Sequence, residues 1–283
     1  MKKENSNIKF SVLMSVYKND KPNFVKIAIE SILKQTLQPS QFVIMIDGQI
    51  DEKLEHVLLS YEKENKIIEL HFQDENLGLG LTLKEGLNYC KYDYVARMDA
   101  DDYSLPNRFE IQFEYLKKNK NISIIGSNIA EFTENIENIN SIRKVPEKNE
   151  DIYNFAKSRN PFNHPSVILK KEDVLAVGSY KNVRFLQDYF LWVDLLTAGY
   201  KGYNVQKNLV YMRADSNLFK RRSGKKYIKI QIELLDYMKK RKFINNNQYI
   251  KSKILRTCSG YAPNWLRRIL FNKILRKKVN NKN

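Results

Sequence analysis

The stretch IKFSVLMSVYKNDKPNFVKIAIESILKQTLQPSQFVIMIDG, residues 8–48, decides the fold because it contains a strand, a helix and a second strand. Its first part, IKFSVLMSV, is mostly apolar, which is typical of a strand buried on both faces. From Phe24 apolar residues recur at helical spacing until Pro39 ends the pattern. The run QFVIMIDG then predicts a second buried strand that ends at Asp47.

The same alternation continues to about residue 100. EKLEHVLLSYEKEN and GLTLKEGLNYC have helical periodicity, whereas KIIELHFQ and YDYVARMD are typical of strands. The order β-α-β-α-β-α-β predicts an α/β fold with a mainly parallel central sheet and helices on both faces. Ligands of such sheets bind outside the carboxyl ends of the strands. Tyr17, Asp47 and Asp99 fall at such ends.

After residue 107 the pattern is looser. RFEIQFEYLKKN predicts a helix, ISIIGSNIAEF a strand, FLQDYFLWVDLLTAG an amphipathic helix closed by Gly199, and YKGYNVQKNLVYMRA two short strands. We therefore expect a βα domain over residues 1–212 and a basic, mostly helical C-terminal segment over residues 213–283.

The net charge of +17 is concentrated in this C-terminal segment. Residues 213–283 contain 21 Lys and Arg against three acidic residues, whereas residues 1–212 contain 28 against 29. A segment of this kind is expected to bind phosphate groups, whether in nucleic acid, in anionic lipid or in a diphosphate substrate. The N-terminal sequence lacks a signal-peptide pattern, and no run is apolar enough to span a bilayer. With only two cysteines, Cys90 and Cys258, these features predict a cytoplasmic location.

Three carboxylates crowd the end of the fourth predicted strand, at Asp99, Asp101 and Asp102. Solvent, a helix terminus or a cation must make this crowding tolerable. Mg²⁺ and Mn²⁺ bind through one or two carboxylates together with substrate phosphates, and the strand end favours that interpretation. The alternative is that Asp102 or Ser104 caps the following helix, so the role of Asp102 stays open between metal ligand and cap.

Other candidate residues each have a structural alternative. Asp47 accepts hydrogen bonds from a ligand or belongs to an Asp-Gly turn, and Tyr17 stacks on a base or packs against the wall. Lys84 binds an anion near a helix start or is a surface lysine. Asp188 is a general base or a carboxylate that favours its helix dipole. His164 is a ligand, a base or a structural residue.

Basic residues near the C-terminus have the same two interpretations. Arg213, Arg221 and Arg222 are close in sequence and bind phosphate bidentately, or they form a solvated charge run. NWLRRILFNKILRKK, residues 264–278, places apolar residues on one helical side and basic residues on the other. This pattern fits a helix lying on an anionic membrane or one docked on the protein's own core.

Taken together, these motifs resemble those of the family 2 glycosyltransferases with a GT-A fold. The residues that carry the resemblance are FSVLMSVYKND, ESILKQTLQPSQFVIMIDG, NLGLGLTLKEGL, YVARMDADDYSLPNRFEIQ, NPFNHPSV and LQDYFLWVDLL, which lie between residues 8 and 222. The later MRADSNLFKRRSG and APNWLRRIL resemble bacterial enzymes of O-antigen, capsule and amylovoran-type exopolysaccharide synthesis. The implied fold is the Rossmann-like nucleotide-diphospho-sugar transferase fold.

The resemblance also implies roles for the nucleotide-binding residues. Tyr17 and Asp47 would hold the uracil and its ribose, and Lys84 would contact uracil or diphosphate. Asp99 would face the ribose or the metal. Asp101 would be the main ligand of Mn²⁺ or Mg²⁺.

For catalysis the resemblance implies that Asp188 is the base of a Glu-Asp pair, although this sequence has Gln187 in the place of the Glu. The residues implied at the acceptor or its diphosphate are His164, Arg213, Arg221 and Arg222.

The expected function is therefore that of an inverting glycosyltransferase. It would move a hexose, glucose or galactose, from a UDP-sugar to an undecaprenyl-diphosphate-linked saccharide in O-antigen or capsule synthesis, at the inner face of the cell membrane. The alternatives are a metal-dependent phosphatase or nucleotidyltransferase that uses the same aspartates, and a basic nucleic-acid-binding protein. The confinement of the charge to the C-terminal segment argues against nucleic acid as a partner.

Overall fold

The computed structural model describes residues 8–214, 224–261 and 277–278. Its strands are β1 (Ser11–Tyr17), β2 (Gln41–Asp47), β3 (Ile68–Phe72), β4 (Tyr94–Asp99), β5 (Tyr103–Ser104), β6 (Ile122–Phe132), β7 (Ile139–Arg143), β8 (Ile168–Lys170), β9 (Lys201–Arg213) and β10 (Lys277–Lys278). Its α-helices are α1 (Pro22–Leu33), α2 (Glu52–Glu64), α3 (Leu79–Tyr89), α4 (Arg108–Lys118), α5 (Asn149–Phe155), α6 (Lys171–Ala176), α7 (Gln187–Thr197), α8 (Lys225–Lys240) and α9 (Asn246–Tyr261).

The N-terminal half of the sheet is parallel, as the alternation of strands and helices predicts. β1 lies between β2 and β4, β3 lies beyond β2, and all of these pairs are parallel. The helices α1, α2 and α3 form the crossovers between these strands. Consequently the carboxyl ends of β1, β2 and β4 meet at one edge of the sheet.

The other half of the sheet is mixed, because antiparallel strands are added to the parallel ones there. β8 is antiparallel to both β4 and β6, and β7 is antiparallel to β6. Only residues 133–138 join β6 to β7, which is too short for the crossover that a parallel pair needs. β9 was predicted as two short strands but is one strand, parallel to β6 with register shifts.

Each face of the sheet carries its own apolar cluster because side chains alternate along a strand. On one face Val12 and Met14 of β1 pack with residues of α1, α2 and α4. On the other face Leu13 packs with residues of α3 and α7. Every residue of β2 is buried, which explains why its sequence is an uninterrupted apolar run.

Helix α8 contributes to the second of these clusters. Leu234, Leu235 and Met238 are completely buried there. Burial of each such side chain contributes roughly 1.5–3 kcal/mol. At least this part of the basic segment therefore packs on the βα domain, and the boundary at residue 212 stays a prediction.

The chain around Asp102 differs from the expected helix start. Tyr103–Ser104 is a strand that pairs with β9, and α4 begins only at Arg108. Asp102 is therefore not the cap of α4, and the capping interpretation is wrong.

Candidate active site

Three predicted ligand-binding residues lie at the carboxyl edge of the parallel strands. The register of β1 and β2 places Tyr17 beside Asp47. The register of β1 and β4 places Ser15 beside Asp99. Since neighbouring strands are about 4.8 Å apart and the two residues are offset by two positions along β1, the backbones of Asp47 and Asp99 lie roughly 12 Å apart on the two sides of β1. This spacing suits a ligand that is longer than a single sugar.

Asp47 fixes the loop that leads into α3. Its carboxylate accepts hydrogen bonds from the backbone N–H of Leu77 at 2.7 Å and of Gly78 at 3.1 Å, and from the side-chain amide of Asn76 at 3.1 Å. Gly48 has a φ of +79°, and a Cβ there would lie 2.7 Å from the backbone nitrogen of Asn76. The Asp-Gly turn is therefore real, and Asp47 is a structural acceptor at the site edge.

Asp99 is held by Arg97, a residue that the sequence interpretation missed. The Arg97 side chain is 2% exposed and forms an ion pair with the Asp99 carboxylate, which is 32% exposed. Alternate residues of a strand share a face, and this spacing was the available signal. Among the described residues, Nε and Nη1 of Arg97 have no hydrogen-bond partner. The buried guanidinium thus orients Asp99 while keeping donors that only a buried water or a ligand can satisfy.

Asp101 and Asp102 are tied to the end of β9 through Arg213. The Asp102 carboxylate accepts a 2.9 Å hydrogen bond from the backbone N–H of Arg213, and the Arg213 side chain donates to the carbonyl of Asp101. Asp102 is 1% exposed, and burial with the charges of Asp101 and Asp99 raises its pKa well above the usual value. The Arg213 guanidinium also lies over the ring of Phe24. Arg213 therefore holds the acidic loop in place.

A fourth acidic residue, Asp20, lies in the loop between β1 and α1. Its carboxylate accepts a 2.9 Å hydrogen bond from the backbone N–H of Tyr17. Burial, together with the nearby negative charges of Asp101 and Asp99, raises its pKa to about 7. Asp20 thus shares the electrostatic environment of the acidic loop. Its position three residues after the end of β1 was the only sequence signal.

Asp188 lies in the first turn of α7, where a carboxylate favours the helix dipole. The side-chain amide of Asn160 donates a 2.6 Å hydrogen bond to its Oδ2 atom. The neighbouring Gln187 packs against Gly80, where an added Cβ would lie 3.3 Å from the Cβ of Gln187. The first turns of α3 and α7 are therefore in contact. Asp188 consequently lies next to α3, and Asp47 holds the loop that precedes α3.

His164 and Tyr180 are buried between these two sets of acidic residues. The His164 Nε2 atom is 2.9 Å from the Tyr180 hydroxyl oxygen. Burial and the positive charge of Arg97 lower the pKa of His164 well below its usual value, so the ring is neutral at pH 7. Burial raises the pKa of Tyr180, and Asp188 and Asp99 raise it further, so both carboxylates are near this hydroxyl.

The remaining predicted residues are not brought to this edge by any described contact. Lys84 is an exposed residue of α3. Arg221 and Arg222 lie outside the described residues, as does most of the amphipathic stretch 264–278.

The acidic residues suit a hard divalent cation by their chemistry, because carboxylate oxygens are the ligands that Mg²⁺ and Mn²⁺ prefer. Across residues 8–214, 224–261 and 277–278, however, no three His, Cys, Asp or Glu side chains are grouped so that they hold a metal alone. Asp99 and Asp101 therefore fit a cation whose coordination is completed by another ligand, such as a diphosphate. The raised pKa values of Asp20 and Asp102 indicate the electrostatic strain that a cation would relieve.

Acidic residues at the sheet edge and a helix-borne aspartate are thus the two features of the candidate site, and comparison with known proteins shows the family of the chain. The profile described as Glycosyl transferase family 2 matches residues 11–176. The chain is 36% identical over 269 residues to UDP-Gal:alpha-D-GlcNAc-diphosphoundecaprenol beta-1,3-galactosyltransferase of Escherichia coli, covering 95% of this chain and 97% of that protein. It is 33% identical to the amylovoran biosynthesis glycosyltransferase AmsE of Erwinia amylovora, covering 93% and 98%.

Comparison with solved structures agrees with the comparison of sequences. The mannosyltransferase PcManGT from Pyrobaculum calidifontis, solved in complex with GDP-Man and Mn²⁺, superposes with a TM-score of 0.61 at 12% identity, covering 90% of this chain and 70% of that chain. The chain therefore belongs to glycosyl transferase family 2, and it is a glycosyltransferase with a GT-A fold. The predicted family and fold class are confirmed. Within the described residues, no helix is long and apolar enough to cross a membrane.

Proposed function

We propose that the protein transfers a hexose, galactose or glucose, from its UDP derivative to a saccharide linked to a lipid diphosphate, with inversion, in bacterial surface polysaccharide synthesis. The observation that supports the proposal is that Asp99 and Asp101 lie at the carboxyl end of β4, whereas Asp188 lies in the first turn of α7, which contacts α3. The 36% identity with a UDP-galactose-dependent enzyme, over nearly the whole of both chains, supports the donor and acceptor classes.

The donor nucleotide would lie along the edge formed by β1, β2 and β4. Tyr17 would stack on the uracil, and Asp47 would accept a hydrogen bond from uracil or ribose while it holds the loop before α3. Asp99, oriented by Arg97, would face the ribose or the metal. Lys84 would meet the uracil or the diphosphate from α3, where its charge compensates an anion near the helix start.

Asp101, with Asp99, would hold Mn²⁺ or Mg²⁺ together with the donor diphosphate. The bound cation supplies stabilisation of the negative charge that develops on the departing diphosphate. Arg213 keeps the loop of Asp101 and Asp102 in place through backbone contacts and does not itself need to touch the donor. The manganese ion in the similarly folded mannosyltransferase supports this choice of cofactor.

Asp188 would be the general base. It takes the proton from the acceptor hydroxyl as that oxygen forms a bond to C1 of the sugar, and the bond from C1 to the diphosphate oxygen breaks with its electron pair. Attack from the face opposite to the diphosphate inverts the anomeric centre. Asn160 orients the base, and neutral Gln187 in place of a family Glu leaves Asp188 as the charged member.

The acceptor would enter from the side of α7. His164 is neutral and buried, so its contribution is that of a hydrogen-bonding group rather than a cation. Arg221 and Arg222 would meet the acceptor diphosphate, and the basic C-terminal segment would meet the anionic inner surface of the cell membrane. If residues 264–283 anchor the enzyme, their deletion moves it from the membrane fraction to the soluble one.

A donor screen tests this function. Purified protein is incubated with UDP-glucose, UDP-galactose and other nucleotide sugars, with and without a synthetic GlcNAc-diphosphate-lipid, in Mn²⁺ and in EDTA. We expect acceptor-dependent transfer from one UDP-hexose, lost in EDTA. Release of free sugar or phosphate without transfer would support the phosphatase alternative.

A further inference from the structure

Helix α9 carries an apolar stripe that faces away from the protein. Ile250, Ile254 and Leu255 are 54%, 59% and 67% exposed, more than any other large hydrophobic side chain in the described residues. Ile250 and Ile254 lie one turn apart on the same side of the helix, and Leu255 lies about 100° further round, so the three span about 140° of its surface. An exposed stripe of this kind, in a helix rather than scattered singly, marks an interaction surface.

The opposite side of α9 is the one that docks on the protein. The Tyr249 hydroxyl donates a 2.6 Å hydrogen bond to Asp236 of α8, and Lys253 donates to the Tyr249 hydroxyl. Arg256 donates to the carbonyl of Gln231, also on α8. The apolar stripe is therefore not the seam between α8 and α9 but a second face of the helix.

The inner side of α9 also reaches the segment that positions the catalytic aspartate. Arg256 donates a 3.3 Å hydrogen bond to the carbonyl of Ser158, and Asn160, two residues further on, donates to Asp188. The apolar stripe thus lies one helix diameter, about 10 Å, from a segment in contact with the proposed base.

The charge of this region selects the type of partner. Residues 224–261 contain ten Lys and Arg against two acidic residues, a net charge of +8. Lys251 is exposed beside the stripe, and Lys239 and Lys240 are exposed on α8. A second copy of the chain on this face would place like charges opposite one another, whereas an anionic bilayer complements both the charge and the apolar side chains.

We propose that the face of α9 formed by Ile250, Ile254 and Leu255 lies on an anionic membrane surface, so that the lipid-linked acceptor reaches Asp188 along α9. This inference rests on the proposed lipid-diphosphate acceptor. It assigns membrane contact to a described helix, independently of residues 264–283.

The test compares full-length variants in vesicle sedimentation. The variant Ile254→Glu with Leu255→Glu is compared with Leu59→Glu, the same change at a 45% exposed leucine of α2. Vesicles are phosphatidylcholine with or without phosphatidylglycerol. We expect the double variant to lose at least about tenfold in partition to anionic vesicles, with the control unchanged, because each carboxylate places a charge where an apolar group entered the interface. Lys251→Glu should weaken only the binding to anionic vesicles.

Binding of the double variant at the wild-type level would overturn the proposal. A change of mass between the wild type and the double variant in light scattering would also overturn the proposal, because it would assign the face to a second copy of the chain. A thermal unfolding temperature lower than that of Leu59→Glu, without vesicles, would mean that the chain's own later residues cover the stripe. Transfer to a short-chain, water-soluble acceptor should be equal in all variants, and its absence in the wild type would contradict the proposed function without touching the membrane result.

Discussion

Asn160 and Asp188, 28 residues apart in sequence, are joined by a 2.6 Å hydrogen bond from the amide to the carboxylate. The bond fixes the orientation of the proposed base in the first turn of α7. Asn160→Ala should therefore lower kcat by roughly 10- to 150-fold, the worth of a hydrogen bond to a charged group. The KM for the UDP-sugar should stay nearly constant because the donor edge is untouched. Asn154→Ala, whose amide oxygen accepts only from Lys157 at the surface, is the matched control.

The negative charge of Asp101 should matter more for activity than the negative charge of its neighbour Asp102. The Asp102 carboxylate is buried and accepts from the backbone N–H of Arg213, which an amide oxygen does equally well. Asp102→Asn should keep activity within about threefold, whereas Asp101→Asn should lose about a hundredfold or more through weakened metal binding. Kinetics against Mn²⁺ concentration distinguishes the two. A larger loss for Asp102→Asn than for Asp101→Asn would make Asp102 the principal ligand.

The Arg97 side chain should affect the affinity for the UDP-sugar donor more than it affects the stability of the protein. The buried guanidinium holds Asp99, but burial of its charge costs free energy. Removal of the side chain loses the ion pair and also removes that cost, so the two effects on stability offset each other. Arg97→Met should weaken UDP-sugar binding by about tenfold or more with a small change in Tm. The affinity of Arg97→Lys should lie between those of the wild type and Arg97→Met, since lysine keeps the charge without the planar fork. Calorimetric titration with thermal unfolding measures both. Unchanged donor affinity in Arg97→Met would show that the pair is purely structural.

The parallel half of the fold could be predicted because β1 and β2 are mostly apolar runs and strand-like segments alternate with helices of clear period. The antiparallel half could not, since β8 has three residues and β9 pairs with two partners through register shifts. Asp47, Asp99 and Asp188 could be proposed as site residues because strand ends and a helix start are visible in the sequence. Asp20 and Asn160 were missed because the acidic residues near them, Asp99 and Asp101 for Asp20 and Asp188 for Asn160, are distant in sequence.

His164 should make the protein less stable in acid. Its pKa in the folded protein lies well below that in the unfolded chain, about 6.5, so the unfolded state binds the extra proton as the pH falls. Between pH 7.5 and 5.5 protonation of this group in the unfolded chain should lower the free energy of unfolding by on the order of 1 kcal/mol. His164→Gln should lack that loss, measured by urea unfolding at both pH values. The same change at exposed His56 is the control, and equal pH dependence in His164→Gln and wild type would contradict the buried neutral ring.

The central claim is that Asp188 removes the acceptor proton during transfer of a hexose from UDP. The most direct measurement is the rate at which Asp188→Asn forms glycosylated acceptor at saturating donor and acceptor, alongside its affinity for the UDP-sugar. We expect a fall in rate of about 10²–10⁴-fold, the usual contribution of a general base, with donor affinity retained. Turnover by Asp188→Asn near the wild-type rate would contradict the claim and remove Asp188 as the base.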